Sequence, residues 1–460
     1  MDDICYGDKN RMIYQIGVSG DFAPECRSIF LDEYTGIVDF CRAAMELADV
    51  INAVSAEHAI ATTQLFKRLY GDAFDKPVIG ILNGSGKSWK NDEIREIEEQ
   101  GSIPSVEKLY TAHESGKAAA LAEIRARTYR EMKMSELTVW VVRRMVEYKS
   151  QYPVLRFLVH LACADRSQVF SRQDLEGLWK AEIFPFINNV EKERIYNQDF
   201  ENTVRNTLDY LFAGRQQLFG LGLQIVVAGP EYELFWADEF RRWSILPSLK
   251  SRFVYVPDSD VNLLKMQAIG ADICVTIPRP LEEACGTSDQ RTGLNGGVNI
   301  AIDGAGPVEW ISDYDPERKE GSGFLLDSYT SVDVNGTVVP EVNLFYQKSP
   351  ADLFAKLEIA SRIYYENLQE WKQLMHNSYM AANVKVTAKE MEKRYAQKVY
   401  ALALSEKQSR GVLNAIGPYR GIIRSKTGNN GSVEFILDLI SCVPTIWNIM
   451  GEKFKGHTIE

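Results

Sequence analysis

The sequence predicts an α/β protein built on a Rossmann-like parallel sheet, with a helical carboxyl-terminal region. Two observations carry this. Four compact apolar runs, LTVWVV (137–142), LQIVVAG (223–229), FVYV (253–256) and DICVTI (272–277), recur with helical patterns between them, and such alternation builds a parallel sheet covered on both faces. The chain has 460 residues, 45% of them hydrophobic, which suffices for two domains of ordinary size, each with its own core.

The elements follow in order. From about residue 36, GIVDFCRAAMELAD has apolar residues at helical spacing, VINAVS is a short strand, AEHAIATTQLFKRLYG returns to helix, and PVIGIL is again a strand. Residues 104–132 read as a charged, alanine-rich helix. The stretch 160–220, between the first two of the four strands, is helical and polar; it is too long for an ordinary connection and reads as an insertion. Gly, Asn and Asp punctuate 312–348. The run ADLFAKLEIASRIYYENLQEW then opens a helical region reaching about residue 405. Near the end, GPYRGIIRSKTGNNG reads as a loop and SVEFILDLISCVPTIWNIM as an apolar helix. The chain holds no internal repeat or low-complexity segment.

The net charge of −11 is spread along the chain. It argues against nucleic acid or anionic membrane as a partner, and it gives local basic clusters more meaning. Seven cysteines, Cys5, Cys26, Cys41, Cys163, Cys274, Cys285 and Cys442, form no CxxC pair. They read as reduced thiols rather than a disulfide framework or a metal site. The opening MDDICYGDKN is acidic, and no run approaches the roughly 18 apolar residues of a membrane helix. No signal peptide or membrane span is expected, and the cytoplasm is the expected compartment.

KPVIGILNGSGKSWKND (76–92) contains the GKS of a phosphate-binding loop. A P-loop needs four residues between its first glycine and the GK pair, so that successive N–H groups wrap one phosphate. Gly80 and Gly86 have five between them, and the spacing fails. Ligands of open parallel sheets sit at the carboxyl ends of strands. After LTVWVV come Arg143, Arg144 and Lys149; after DICVTI comes PRPLEEACGTSDQRTGLNGG (278–297), where Gly286-Thr287-Ser288 opens a helix. Free N–H groups at a helix start, beside a glycine that permits close approach, suit an anion. Singly, the first cluster is an ordinary solvated charged face and the second an ordinary cap. Their joint occurrence at two strand ends of one sheet favours a phosphate or diphosphate pocket.

At these residues the sequence resembles the glycogen and α-glucan phosphorylases, retaining enzymes of the GT-B glycosyltransferase fold. EACGT (283–287) with LNGGVNIAIDGAGPVEW (294–310) is similar to the family's EASGT, NG and DG-x-x-VE elements, and VRRMVEYKSQ (142–151) to its basic VKRxxEYKRQ segment. ADVINAVSAEHA (48–59), LNG (82–84) and 369–404 resemble further family segments in colinear order. The resemblance implies a GT-B arrangement: a remnant of the amino-terminal domain at 1–100, a Rossmann-like donor-binding domain at 101–350 carrying the insertion, and a helical region at 351–460. It also implies roles. Glu283, with the backbone of Ala284, Cys285 and Gly286, would hold the donor sugar's hydroxyls, and Asn83 would contact the sugar near its O6, although a turn-forming Asn-Gly explains that residue nearly as well. Arg144 and Lys149 would bind the leaving phosphate, Thr287 would donate to it, and Arg143 falls where phosphorylases have a lysine facing the cofactor phosphate. His58 reads as structural, and His113 is open between the two readings.

The pattern breaks in two places. The lysine that carries pyridoxal phosphate in phosphorylases is replaced by Arg291, and a guanidinium forms no imine. Covalent pyridoxal phosphate is therefore not expected, and no other cofactor is. A nucleoside diphosphate clamped by Arg144, Lys149 and Arg291 would fill the corresponding space, which implies a nucleotide sugar as donor. Most of the amino-terminal half that supplies the family's acceptor side has no counterpart, so a partner subunit or a second copy is expected to complete the cleft. The expected function is a retaining hexosyl transfer from an activated donor to an unknown acceptor. The alternatives are an α-glucan phosphorylase-like enzyme and a catalytically silent, sugar-binding regulatory subunit.

Overall fold

The fold is laid down by strands that are apolar along their whole length. A computed structural model describes residues 51–149 except 72–73, residues 155–178, and residues 198–402 except 233, 250, 258 and 335–336, with short pieces elsewhere. The chain divides into a unit of residues 52–392 and a unit of residues 1–51 with 393–460.

The elements begin with β1 (Ile51–Ala53), α1 (Ala56–Tyr70), β2 (Val78–Gly80), α2 (Asp92–Glu99), α3 (Val106–Thr128) and β3 (Thr138–Val142). Then come α4 (Leu155–Cys163), α5 (Arg172–Leu178), α6 (Gln198–Leu211), β4 (Gln224–Gly229), α7 (Leu234–Ile245), β5 (Phe253–Pro257), α8 (Val261–Gly270) and β6 (Ile273–Thr276). The series closes with α9 (Ser288–Gly293), β7 (Val298–Ile302), β8 (Phe324–Leu326), α10 (Val342–Glu366) and α11 (Leu368–Lys385). Six strands form one sheet in the order β8-β7-β6-β3-β4-β5, and every pairing is parallel. This is the doubly wound order of a Rossmann sheet, and it reverses direction between β3 and β6.

Side chains alternate between two cores, as the period of two requires. Val139, Ile225, Val227, Phe253, Ile273 and Val275 pack with α4, α7 and α10 on one face. Trp140, Val142, Val226, Ala228, Val254 and Val256 pack with Ala120 and Ile124 of α3 and Leu263 of α8 on the other. Each such side chain removed from water contributes about 1.5–3 kcal/mol, which is why the runs read as continuous apolar segments rather than alternating ones.

One polar cluster pins the amino ends of the central strands. Asp272, just before β6, accepts from Lys117 Nζ at 2.6 Å, His113 Nε2 at 3.0 Å and the Thr138 amide at 2.8 Å, and all three side chains are buried. Burial pushes the Asp272 carboxyl up, but the adjoining Lys117 and His113 hold it below the usual carboxylate range. His113 is thus placed in a structural cluster joining α3 to the sheet.

The four strands read from the sequence all form, and β7 and β8 are additional. The insertion expected at 160–220 holds the end of α4 with α5 and α6; residues 179–197 lie outside the described residues. So does most of the helix expected at 36–49. In the terminal unit, Ile423–Thr427 and Val433–Leu437 pair as antiparallel strands, where a loop and a helix were expected. Val433, Phe435 and Ile436 are strand formers, and each finds a partner in the facing segment. Among the described residues, no helix is long and apolar enough to cross a membrane, and no group of side chains could hold a metal ion.

Candidate active site at the sheet reversal

The reversal between β3 and β6 opens a crevice. The two strands pair only at Ile273 with Val139 and Cys274 with Trp140, while β3 continues to Val142 and β6 to Thr276. Beyond Trp140 they part, and the loops 143–149 and 278–288 leave from the gap. Ligands of open α/β sheets bind at such a point.

The first loop starts as a continuation of the sheet: the Arg143 amide donates to Ala228 O at 2.9 Å, and that of Met145 to Pro230 O at 3.0 Å. A Cβ at Gly229 would lie 1.7 Å from the Arg143 carbonyl oxygen, so only glycine lets β4 pass there. The two loops are tied together by the Arg279 amide, which donates to Tyr148 O at 2.7 Å.

Arg143, Lys149, Glu283, Gly286, Asp289 and Ala305 border a cavity of about 50 Å³. The Lys149 ammonium and the Glu283 carboxylate are in direct contact. Burial and the neighbouring charges of Arg143 and Arg144 push the Lys149 ammonium down to about 7, with Asp289 working the other way. The touching Glu283 carboxylate further favours the charged form. Arg143 is half-buried, but its Nε and Nη1 are fully buried and have no hydrogen-bond partner. Burial lowers this guanidinium to about 10, and Cys274 beside it opposes the shift. On its other side Arg143 borders an apolar cavity of about 70 Å³ lined by Val139, Leu158, Phe240 and Leu357.

Asp289, in the first turn of α9, is a site residue that the sequence reading passed over. Its Oδ2 accepts from Trp310 Nε1 at 3.1 Å, and its Oδ1 is buried with no partner. Burial raises the carboxyl to about 6 against the Trp310 hydrogen bond and the nearby backbone amides of Asp289 and Gln290, which lower it. The only sequence signal for it is an acidic residue two positions after Gly-Thr at a strand end. Gly286 adjoins it: a Cβ there would meet only Asp289 Oδ1, at 3.6 Å, so packing does not demand glycine at this position.

The remaining predicted residues, Asn83, Arg144, Ala284, Cys285, Thr287 and Arg291, do not line this cavity. Arg144 is exposed, and its Nη2 donates to Tyr148 Oη at 2.6 Å. Thr287 flanks α9, and its carbonyl accepts from the Arg291 amide at 3.1 Å. Ala284 O accepts from Ser55 Oγ at 2.7 Å, and Asn83 Nδ2 lies 3.5 Å from Cys285 O. Gln290 Nε2 donates to Asn83 O at 2.9 Å. Asn83 is therefore turned to the backbone of the second loop, and a Cβ at Gly84 would lie 2.5 Å from Thr387 O, which by itself explains the glycine. The Cys285 thiol is pushed up to about 12 by burial. His58 Nδ1 accepts from the Val54 amide at 3.3 Å, a local structural role. Arg291 does not border the cavity; its guanidinium carbon lies 3.8 Å from the centroid of the Trp89 ring.

A doubly wound parallel sheet with paired cationic and acidic side chains at its reversal defines an α/β protein with a ligand crevice of the Rossmann kind. By sequence the chain is phosphorylase-like. It is 24% identical over 389 residues to maltodextrin phosphorylase of Thermococcus litoralis, which covers 79% of this chain and 40% of that protein. It is 28% identical over 192 residues to glycogen phosphorylase of Mycobacterium tuberculosis, covering 39% and 21%. The chain thus spans well under half the length of these relatives. No protein-family profile matches it. Among solved structures, the catalytic domain of starch synthase IV from Arabidopsis thaliana, bound to ADP and acarbose, aligns over 85% of this chain and 64% of its own, with 15% identity and a TM-score of 0.48.

Proposed function

We propose that this chain is a retaining glycosyltransferase of the phosphorylase-like GT-B type, taking a hexose from an activated donor whose phosphate leaves at the sheet reversal. The observation that carries the reading is the convergence of Arg143 and Lys149 from one strand-end loop with Glu283 and Gly286 from the other around one cavity. In the free protein the Lys149 ammonium and the Glu283 carboxylate lie in contact as an ion pair. A bound donor would exchange that pair, its phosphate taking the ammonium while a sugar hydroxyl donates to the released carboxylate. Arg143 brings two unpaired donors to a buried position, where charge developing on a leaving phosphate is stabilised most strongly.

The donor we favour is a nucleotide sugar. Pyridoxal phosphate as an imine does not fit position 291, where an arginine stacks on Trp89. The test is a thermal-stability scan against UDP-, ADP- and GDP-hexoses, glucose 1-phosphate and pyridoxal phosphate, because a ligand that binds only the folded state raises the melting temperature. A shift with one nucleotide sugar supports the reading and names the donor class. A shift with glucose 1-phosphate alone replaces it with a phosphorylase-like reaction. Transfer by the purified chain alone, or only after a second protein is added, decides whether the unit works in an assembly.

A further inference from the structure

An acidic side chain at an anion site poses a physical problem. Asp289 is 1% exposed, borders the cavity that holds Lys149 and Arg143, and keeps one carboxyl oxygen without any hydrogen-bond partner. Were it ionised, that oxygen would repel the phosphate the cavity is proposed to take; uncharged, the same oxygen, 3.6 Å from where a Cβ would stand on cavity-lining Gly286, can donate a hydrogen bond. Trp310 Nε1 holds the other oxygen, which fixes the carboxyl's plane and leaves Oδ1 as the free end.

We propose that Asp289 is a proton-carrying ligand of the bound anion: its neutral carboxyl donates from Oδ1 to an anion oxygen, so each binding event above the carboxyl's own titration range takes one proton from solvent. This rests on the anion reading of the cavity. The step balances simply, with carboxylate, proton and anion going to carboxylic acid hydrogen-bonded to anion. The groups facing Asp289 agree with it. Glu283 adds negative charge across the same cavity, and the Cys274 and Cys285 thiols, each pushed up to about 12, stay neutral. Arg143, even lowered to about 10, stays charged, as does Arg291, a guanidinium also lowered by burial. Lys149, pushed down to about 7, is a second group able to take up a proton near neutrality. Free Asp289 itself titrates at about 6.

The test is titration calorimetry of the full chain with sodium sulfate, which stays a dianion throughout, in two buffers of different protonation enthalpy. The wild type is expected to take up at least one proton per sulfate near neutral pH, one through Asp289 and a fraction through Lys149, with affinity falling as pH rises above the carboxyl's range. Asp289→Asn is expected to bind sulfate with about one proton less taken up, only the fraction due to Lys149 remaining, while Lys149→Arg, whose guanidinium does not titrate, keeps the Asp289 proton. Uptake that persists in Asp289→Asn and vanishes in Lys149→Arg assigns the proton to Lys149 and overturns the proposal. Sulfate binding to the wild type without proton uptake also overturns it, and leaves the anion reading standing. Binding of neither sulfate nor phosphate at any pH overturns the anion reading and this inference together. Should Asp289→Asn fail to fold, the wild type with sulfate is expected to show the infrared band of a protonated carboxyl at neutral pH; absence of that band rejects the proposal.

Discussion

Arg291 lies against Trp89, its guanidinium carbon 3.8 Å from the ring centroid. Asn295 locks the pair in place, since its Nδ2 donates to both Trp89 O and Arg291 O at 2.9 Å. The position that would carry a cofactor imine is thus filled by a stacked cation. Incubation with pyridoxal phosphate followed by borohydride is expected to leave residue 291 unlabelled in a peptide mass map. A pyridoxyl group on that residue would refute this. Trp89→Ala should lower stability by about 1 kcal/mol through loss of the stacking, read as a shift in the urea midpoint.

Lys149 is carried by the first loop into the cavity, where it meets Glu283 of the second. Lys149→Ala is expected to slow transfer from an accepted donor by on the order of a hundredfold, the loss of one preorganised charge donor. Unchanged turnover in that variant removes Lys149 from the mechanism.

Asp289 should also make stability depend on pH. Its carboxyl is raised from 3.8 to about 6, so the folded state binds the extra proton. The stability this gives is fully present below about pH 4 and is lost as pH rises through about 6. At about 1.4 kcal/mol per pH unit, the ionised buried carboxylate costs on the order of 3 kcal/mol above that window. Asp289→Asn is therefore expected to be more stable than the wild type at pH 7.5 and no more stable at pH 4. Parallel urea curves at the two pH values check both halves.

Gly229 supports the site from the neighbouring strand. A Cβ there would sit 1.7 Å from the Arg143 carbonyl oxygen, and backbone cannot yield as a flexible side chain can. Gly229→Ala should cost about 1–3 kcal/mol, as overpacking does, and should weaken sulfate binding because the end of β3 must move. An alanine variant with full sulfate affinity would show that β3 and the pocket are not coupled in this way.

The central strands were legible because residues such as Val139, Trp140, Val226 and Val227 are buried on both faces of the sheet, which leaves an unbroken apolar run in the sequence. Val298–Ile302 was not read as a strand because it lies inside a stretch matched as a ligand motif and carries the buried polar Asn299. Phe324–Leu326 is only three residues long, too short to show a period. The two site loops could be found because they follow strands. What sequence could not show was aim. Arg291 was expected beside Lys149, and it reaches instead for Trp89, an aromatic from a turn about 200 residues earlier. Asp289 looks like any surface acid until the fold buries it.

The reversal at β3 also has a consequence for biosynthesis. β3 (Thr138–Val142) lies between β6 and β4 in the sheet, yet its earlier-made neighbour β4 begins only at Gln224. At about 5–20 residues per second on the ribosome, the segment Thr-Val-Trp-Val-Val waits roughly 4–16 s before its first partner exists. During that interval it is an unpaired apolar edge of the kind that chaperones capture, and nascent chains stalled before Gln224 should be the most aggregation-prone of any length.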